Sequence, residues 1–182
     1  MTSPVLFAPS NFALPPVPEP IPEPPVEDWW NYFENHRDLY MAPQVYQWTC
    51  SVAATTWVLQ ATGLDTDAAR EQVAYQIGYP ACVNEAYGLM STTCVEHVFA
   101  SYGVGSRTVW PSWGQMVELA RQTTGLLNST IWYHFVGLRG LTGDGRIWIA
   151  NSAQGYRGVY DTISQAQWNA WSGSWKATLL ER

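Results

Sequence analysis

The spacing of apolar positions changes character along the chain. Up to Asp28 the apolar residues are broken by proline so often that neither a helical nor a strand period develops. The run LPPVPEPIPEPPVED fixes φ at every second residue or so and removes backbone donors, which predicts an extended polyproline II arm. From about residue 38 the period becomes helical. Val52, Ala53, Trp57 and Val58 predict a helix over Cys50–Ala61, closed by Gly63. Asp65 as N-cap predicts a second helix over Thr66–Ile77, ended by Gly78 and Pro80. A third covers Ser91–Ser101, with Val95, Val98 and Phe99 inward and Gly103 after it. Ser106–Trp110 reads as a strand, and Pro111 to about Gln122 as a helix with proline in its first turn.

Beyond that point the pattern turns to strands. Ser129–Leu138 and Arg146–Asn151 are apolar runs separated by the turn-forming cluster GLTGDG, so they predict a hairpin. A short strand over Gly158–Tyr160, a small helix over Ser164–Trp171 and a closing strand over Ser174–Leu180 follow. Helices first and a mostly antiparallel sheet second predict an α+β domain.

Composition narrows the picture. The 182 residues suffice for one domain, and 47% are hydrophobic. Nine of the twelve prolines fall in the first 25 positions, which divides the chain into an arm and boundary segment over 1–37 and a domain over 38–182. Charged residues are 13%, and the chain holds eleven tryptophans, a balance that suits aromatic surface kept for a partner or substrate. Trp168, Trp171 and Trp175 are expected to pack in the core or at a sheet edge. A net charge of −6, with scattered basic residues, leaves no footprint for nucleic acid. No apolar run is long enough to span a membrane, and the N-terminus lacks the basic region of a signal peptide. Apolar residues at both ends of the arm, Val5, Leu6, Phe7 and Phe12 before it and Trp29, Trp30, Tyr32 and Phe33 after it, suit docking on a protein partner as well as they suit a spacer. Three cysteines lack zinc-ligand spacing. Cys82 and Cys94 either pair or remain two unrelated thiols, with separate thiols favoured. Asp144 belongs to a turn with too few carboxylates near it for a metal. His36 and His97 are expected to face solvent.

One constellation can carry chemistry. Cys50 opens a helix, where unpaired N–H groups and the macrodipole favour a thiolate and lower its pKa. A free cysteine is more often a small buried hydrophobe. His134 lies inside the apolar strand TIWYHFVGL, where an imidazole needs a partner. A core histidine satisfied by one hydrogen bond is the ordinary reading. Asn151, at the end of the neighbouring strand in IWIANS, is placed to accept from that ring. Cysteine, histidine and an orienting amide make the nucleophile, base and orienter of thiol catalysis.

The order Gln44, Cys50, His134, Asn151 resembles the papain-like cysteine peptidases, and in detail their bacteriocin-processing, double-glycine leader branch. CSVAATTWVLQATG is similar to the nucleophile helix, YHFVGLRG to the histidine strand, IANSAQG to the Asn-Ser-Trp-Gly box, and GVYDTISQAQWNAWSGSWKATLL to the tail of the leader-peptidase domain. The resemblance runs from about residue 40 to the C-terminus. It departs at Ser51, where the family usually has glycine, and at Asn151, where the leader branch usually has aspartate.

The resemblance implies a papain-like fold and acyl transfer with no cofactor and no metal. Gln44, six residues before the cysteine, takes the oxyanion position, with Gln47 as the alternative donor. Trp48 and Trp132 flank the site and are expected to line the substrate groove. The substrate is then a peptide or a peptidoglycan-type amide. The rival reading is a papain-like domain with a structural role, docked through its arm into a phage particle or secretion apparatus. Localisation is left open by the sequence.

Overall fold

The computed structural model describes residues 29–46, 49–78, 82–84, 89–130, 134–153, 161–171 and 174–182. The proline-rich arm and the strand expected over Gly158–Tyr160 lie outside the described residues. In chain order the elements are α1 (Trp29–His36), α2 (Cys50–Ala61), α3 (Arg70–Ile77), β1 (Val83–Asn84), β2 (Leu89–Met90), α4 (Thr92–Ser101), β3 (Ser106–Val109), α5 (Trp113–Leu119), β4 (Gly125–Ser129), β5 (His134–Leu141), β6 (Ile147–Ala150), β7 (Thr162–Ile163), α6 (Gln165–Ala170) and β8 (Trp175–Leu180). The class is α+β, as expected.

Six strands form one antiparallel sheet in the order β3-β8-β4-β5-β6-β7, and β1 pairs with β2 apart from it. Each face of the sheet carries its own core, because successive side chains of a strand point to opposite faces. Leu126, Phe135, Ala150 and Leu180 join the residues of α2, α3 and α4 on one side. Their neighbours Leu127, Val136, Ile149 and Leu179 join Met116 of α5 and Trp168 of α6 in the other cluster. There Trp168 stacks on Trp175 with centroids 4.8 Å apart and planes 7° off parallel.

Burial on both faces also explains where the sequence misleads. The expected strand Ser129–Leu138 is in fact the end of β4 and the start of β5, paired antiparallel with Ser129 opposite His134. A strand buried on both sides reads as a continuous apolar run, so no alternation marks the reversal. β4 itself was not anticipated. The closing strand β8 lies between β3 and β4.

Local hydrogen bonds shift other boundaries. α3 begins at Arg70, later than expected, because Asp65 Oδ1 accepts the Asp67 N–H at 3.0 Å and makes an Asx turn. The Gln60 side chain donates to the Ala68 carbonyl at 2.9 Å and holds that turn against α2. α5 begins at Trp113 with Ser112 as its cap, in a reciprocal capping box with Gln115, so Pro111 precedes the helix instead of lying in its first turn. Cys82 and Cys94 are paired, not separate: their Cα atoms are 6.1 Å apart and a disulfide joins the start of the β1–β2 segment to α4.

α2 is the central element. Eleven of its twelve residues are buried, so it is apolar nearly all round. The Cε3–Cζ3 edge of Trp57 occupies the space a side chain at Gly137 would need. Trp57 Nε1 donates to the Leu39 carbonyl at 2.9 Å, and Phe33 of α1 meets its ring edge-on at 6.4 Å. Phe33 is fully buried, and Trp29 and Trp30 pack against the same cluster.

Gly137→Ala places a methyl group inside the Trp57 ring. It is expected to destabilise the fold by about 1–3 kcal/mol, the usual cost of overpacking, read as a lower denaturant midpoint at unchanged slope.

Candidate active site

Cys50 is the first residue of α2 and is fully buried. Its thiol hydrogen-bonds with the backbone of Phe135, the residue after His134 on β5. The helix terminus was expected to lower the thiol pKa. Burial instead pushes it up, against the lowering effect of backbone hydrogen bonds at Phe135, Ser51 and Cys50 itself. Desolvation wins because taking a thiolate out of water costs more than a few amide dipoles return. Ser51, which replaces the usual glycine, is buried and its hydroxyl finds no hydrogen-bond partner among the described residues.

His134 begins β5, and Asn151 follows directly after β6, whose Ala150 pairs with Gly137. The hairpin thus brings the two side chains together, with His134 Nε2 2.8 Å from Asn151 Oδ1. The same oxygen accepts the Ala153 N–H at 3.0 Å, which identifies it as the acceptor end of the amide. A neutral His134 therefore carries its proton on Nε2 and leaves Nδ1 as the basic nitrogen. Burial lowers the His134 pKa, and the Asn151 bond partly raises it. A raised thiol and a lowered imidazole together keep the proton on sulfur at neutral pH.

Gln44 lies in the loop before α2 and is tied to the end of β6. Its N–H donates to the Ser152 carbonyl at 2.9 Å, and the Ser152 hydroxyl donates to Gln44 Oε1 at 3.0 Å. Gln44 Nε2 donates to the Tyr46 carbonyl at 3.0 Å. The structure therefore joins His134 to Asn151, Gln44 to Ser152 and Cys50 to the backbone beside His134. Gln47, Trp48 and Trp132 lie outside the described residues. Sequence reasoning missed Ser152 as a contributor. The signal was its place directly after Asn151 in IANSAQG. It also missed the Phe135 backbone, which no side-chain pattern reveals. His97 is exposed on α4, and His36 stacks on Tyr32 at 3.9 Å. Among the described residues no three His, Cys, Asp or Glu side chains are grouped to hold a metal ion, and no helix is long and apolar enough to cross a membrane.

No protein-family model matches the chain, and no curated protein matches it by sequence. Solved structures do match. A double-glycine motif protease from an AMS/PCAT transporter, in complex with the leader peptide, superposes with a TM-score of 0.56 at 18% identity, covering 78% of this chain and 91% of that one. The peptidase domain of Streptococcus ComA, a bifunctional ABC transporter of a quorum-sensing pathway, gives 0.58 at 10% identity, with 79% and 98% covered. At these identities the likeness is one of fold: the chain has the papain-like cysteine peptidase fold of those peptidase domains.

Because the folded His134 pKa is depressed, the unfolded chain takes up that proton first as pH falls. Its contribution to stability is complete above the ordinary histidine value of about 6.5 and declines below it. Ring NMR should place His134 titration below about 6.5, and Asn151→Ala should move it lower still by removing the bond that raises it.

Proposed function

We propose that the chain is a cysteine peptidase whose nucleophile, base and orienter are Cys50, His134 and Asn151. The observation that carries this reading is the His134–Asn151 bond of 2.8 Å beside the strand residue that the Cys50 thiol contacts. His134 Nδ1 takes the thiol proton as sulfur attacks the amide carbonyl, acting as general base instead of resting in an ion pair. The Cys50 N–H and Gln44 Nε2 stabilise the oxyanion. The amine leaves with the proton from His134, and water then cleaves the thioester. A neighbour bound to a leader peptide supports a peptide substrate over a peptidoglycan cross-bridge. The complete burial of Cys50 favours a second reading, a structural papain-like domain docked into a larger assembly through its arm.

Hydrolysis of a synthetic peptide with Gly-Gly before the scissile bond, beside a peptidoglycan cross-bridge peptide, separates these. The Gly-Gly peptide is expected to be cut, Cys50→Ala to abolish cutting, and His134→Ala to slow it by about 10²–10⁴. A protein that cuts neither has the structural role, and one that cuts equally well without His134 uses another group as its base.

A further inference from the structure

We propose that the proline-rich arm docks on its own domain, along the outer edge of β3, with Trp110 and Lys176 as its anchor. The occupant is the segment Leu14–Asp28, LPPVPEPIPEPPVED, which lies outside the described residues. This docking is independent of the chemistry at Cys50.

β3 is an edge strand of the six-stranded sheet, and its outer side pairs with no described strand. An unpaired edge invites pairing with other chains, so proteins cover it or set proline and charge against it. Just past the end of β3, Trp110 is 57% exposed, the most exposed tryptophan among the described residues. The Nζ of Lys176, the single lysine of the chain, lies 4.6 Å from the centre of its ring. Proline-rich segments dock on exposed aromatic rings of this kind, because the polyproline II helix is preformed and loses little entropy on binding. Charge agrees with the fit. β3, β8 and the two residues after β8 carry Arg107, Lys176 and Arg182 against one carboxylate, Glu181, which lies 4.0 Å from Arg107. On α4, Glu96 accepts from the Thr108 hydroxyl at 2.6 Å. The arm brings Glu19, Glu23, Glu27 and Asp28 and no basic residue.

The reach of the arm agrees too. Trp30, near the start of α1, lies 4.8 Å from the Arg182 guanidinium, so the arm joins the domain beside the end of β8. Lys176 is six residues back along that strand, about 20 Å away. A polyproline II segment advances about 3.1 Å per residue and covers that distance in about seven residues, which brings Glu23 level with Lys176. Arg107 stands opposite Leu179, three residues before Arg182, and Glu27 is three residues before Trp30. Glu23 and Glu27 are then about 12 Å apart on the arm, and their partners Lys176 and Arg107 stand about 10 Å apart along the sheet. Pro22 and Pro24 flank Glu23 and meet the Trp110 ring. A segment with proline at nearly every second position offers few N–H groups outward, so it closes the edge without extending the sheet.

The test uses the full chain with 5-fluorotryptophan at its eleven tryptophan positions. Trp110→Phe assigns the Trp110 fluorine signal, and broadening by a neutral gadolinium chelate reads its exposure. A glycine-serine stretch of equal length in place of residues 14–25 removes the prolines, Glu19 and Glu23 while leaving every described residue in place. Broadening of Trp110 is expected to rise about twofold or more, since a tethered segment at millimolar effective concentration keeps even a weak site mostly occupied. Lys176→Glu in the intact chain should act likewise, and adding Glu23→Lys to it should return the broadening to that of the unmodified chain. Equal broadening with and without the proline-rich segment overturns the docking. A Lys176→Glu effect that Glu23→Lys does not relieve overturns it as well, and makes Lys176 a packing partner of Trp110 alone. Protection of Trp110 that disappears on about tenfold dilution comes from the arm of a second copy and overturns docking within one chain, because an intramolecular site is indifferent to concentration.

Discussion

The Trp57 indole edge fills the space above Gly137, and this contact sets how α2 lies on β5. Cys50 is seven residues before Trp57 on the helix, which is about 10 Å of rise. His134 is three residues before Gly137 on the strand, which is also about 10 Å. Stepping back equal lengths from one shared contact brings the first residue of α2 to the first residues of β5. The Cys50 thiol accordingly contacts the backbone of Phe135. The absence of a side chain at Gly137, the Leu39 carbonyl on the indole N–H and the Phe33 ring at its edge all serve this one placement. Arg139, 5.5 Å over the Trp57 ring and 5.1 Å over Trp148, extends the contact towards β6, and its guanidinium donates to the same Leu39 carbonyl at 2.9 Å.

The same close packing governs ionisation. A helix that is buried nearly all round delivers its first residue to a dry position, so the dipole that would favour a thiolate acts where desolvation opposes it more strongly. His134 is under the same pressure from the other side, since burial disfavours its cation. Both shifts favour the neutral pair. Position and charge state therefore have one cause, the exclusion of water between α2 and β5.

β6 contributes through its end more than through its strand. Pairing of Gly137 with Ala150 fixes where the chain emerges, and the two residues that follow divide between His134 and Gln44. The loop before α2 reaches the sheet at this point, through Gln44 and Ser152. A single hairpin thus sets the relation between three segments that are far apart in the chain.

Much of this was legible in the residues. The bounds of α2 follow from its apolar period, and the candidate set Cys50, His134 and Asn151 follows from residue type, order and element. The division of β4 from β5 was not legible, because a strand buried on both faces carries no alternation to mark its end. Nor was the start of α3, where an Asx turn at Asp65 competes with a cap, nor the pairing of Cys82 with Cys94, which depends on distance. The protonation of the thiol was misread for the same reason. Sequence by itself determined which residues can form helices and strands and which carry chemistry, since those depend on local backbone preference and side-chain type. Only the tertiary structure decided which of them meet and which are dry, since contact and solvent exclusion are set by elements that pack across long stretches of chain.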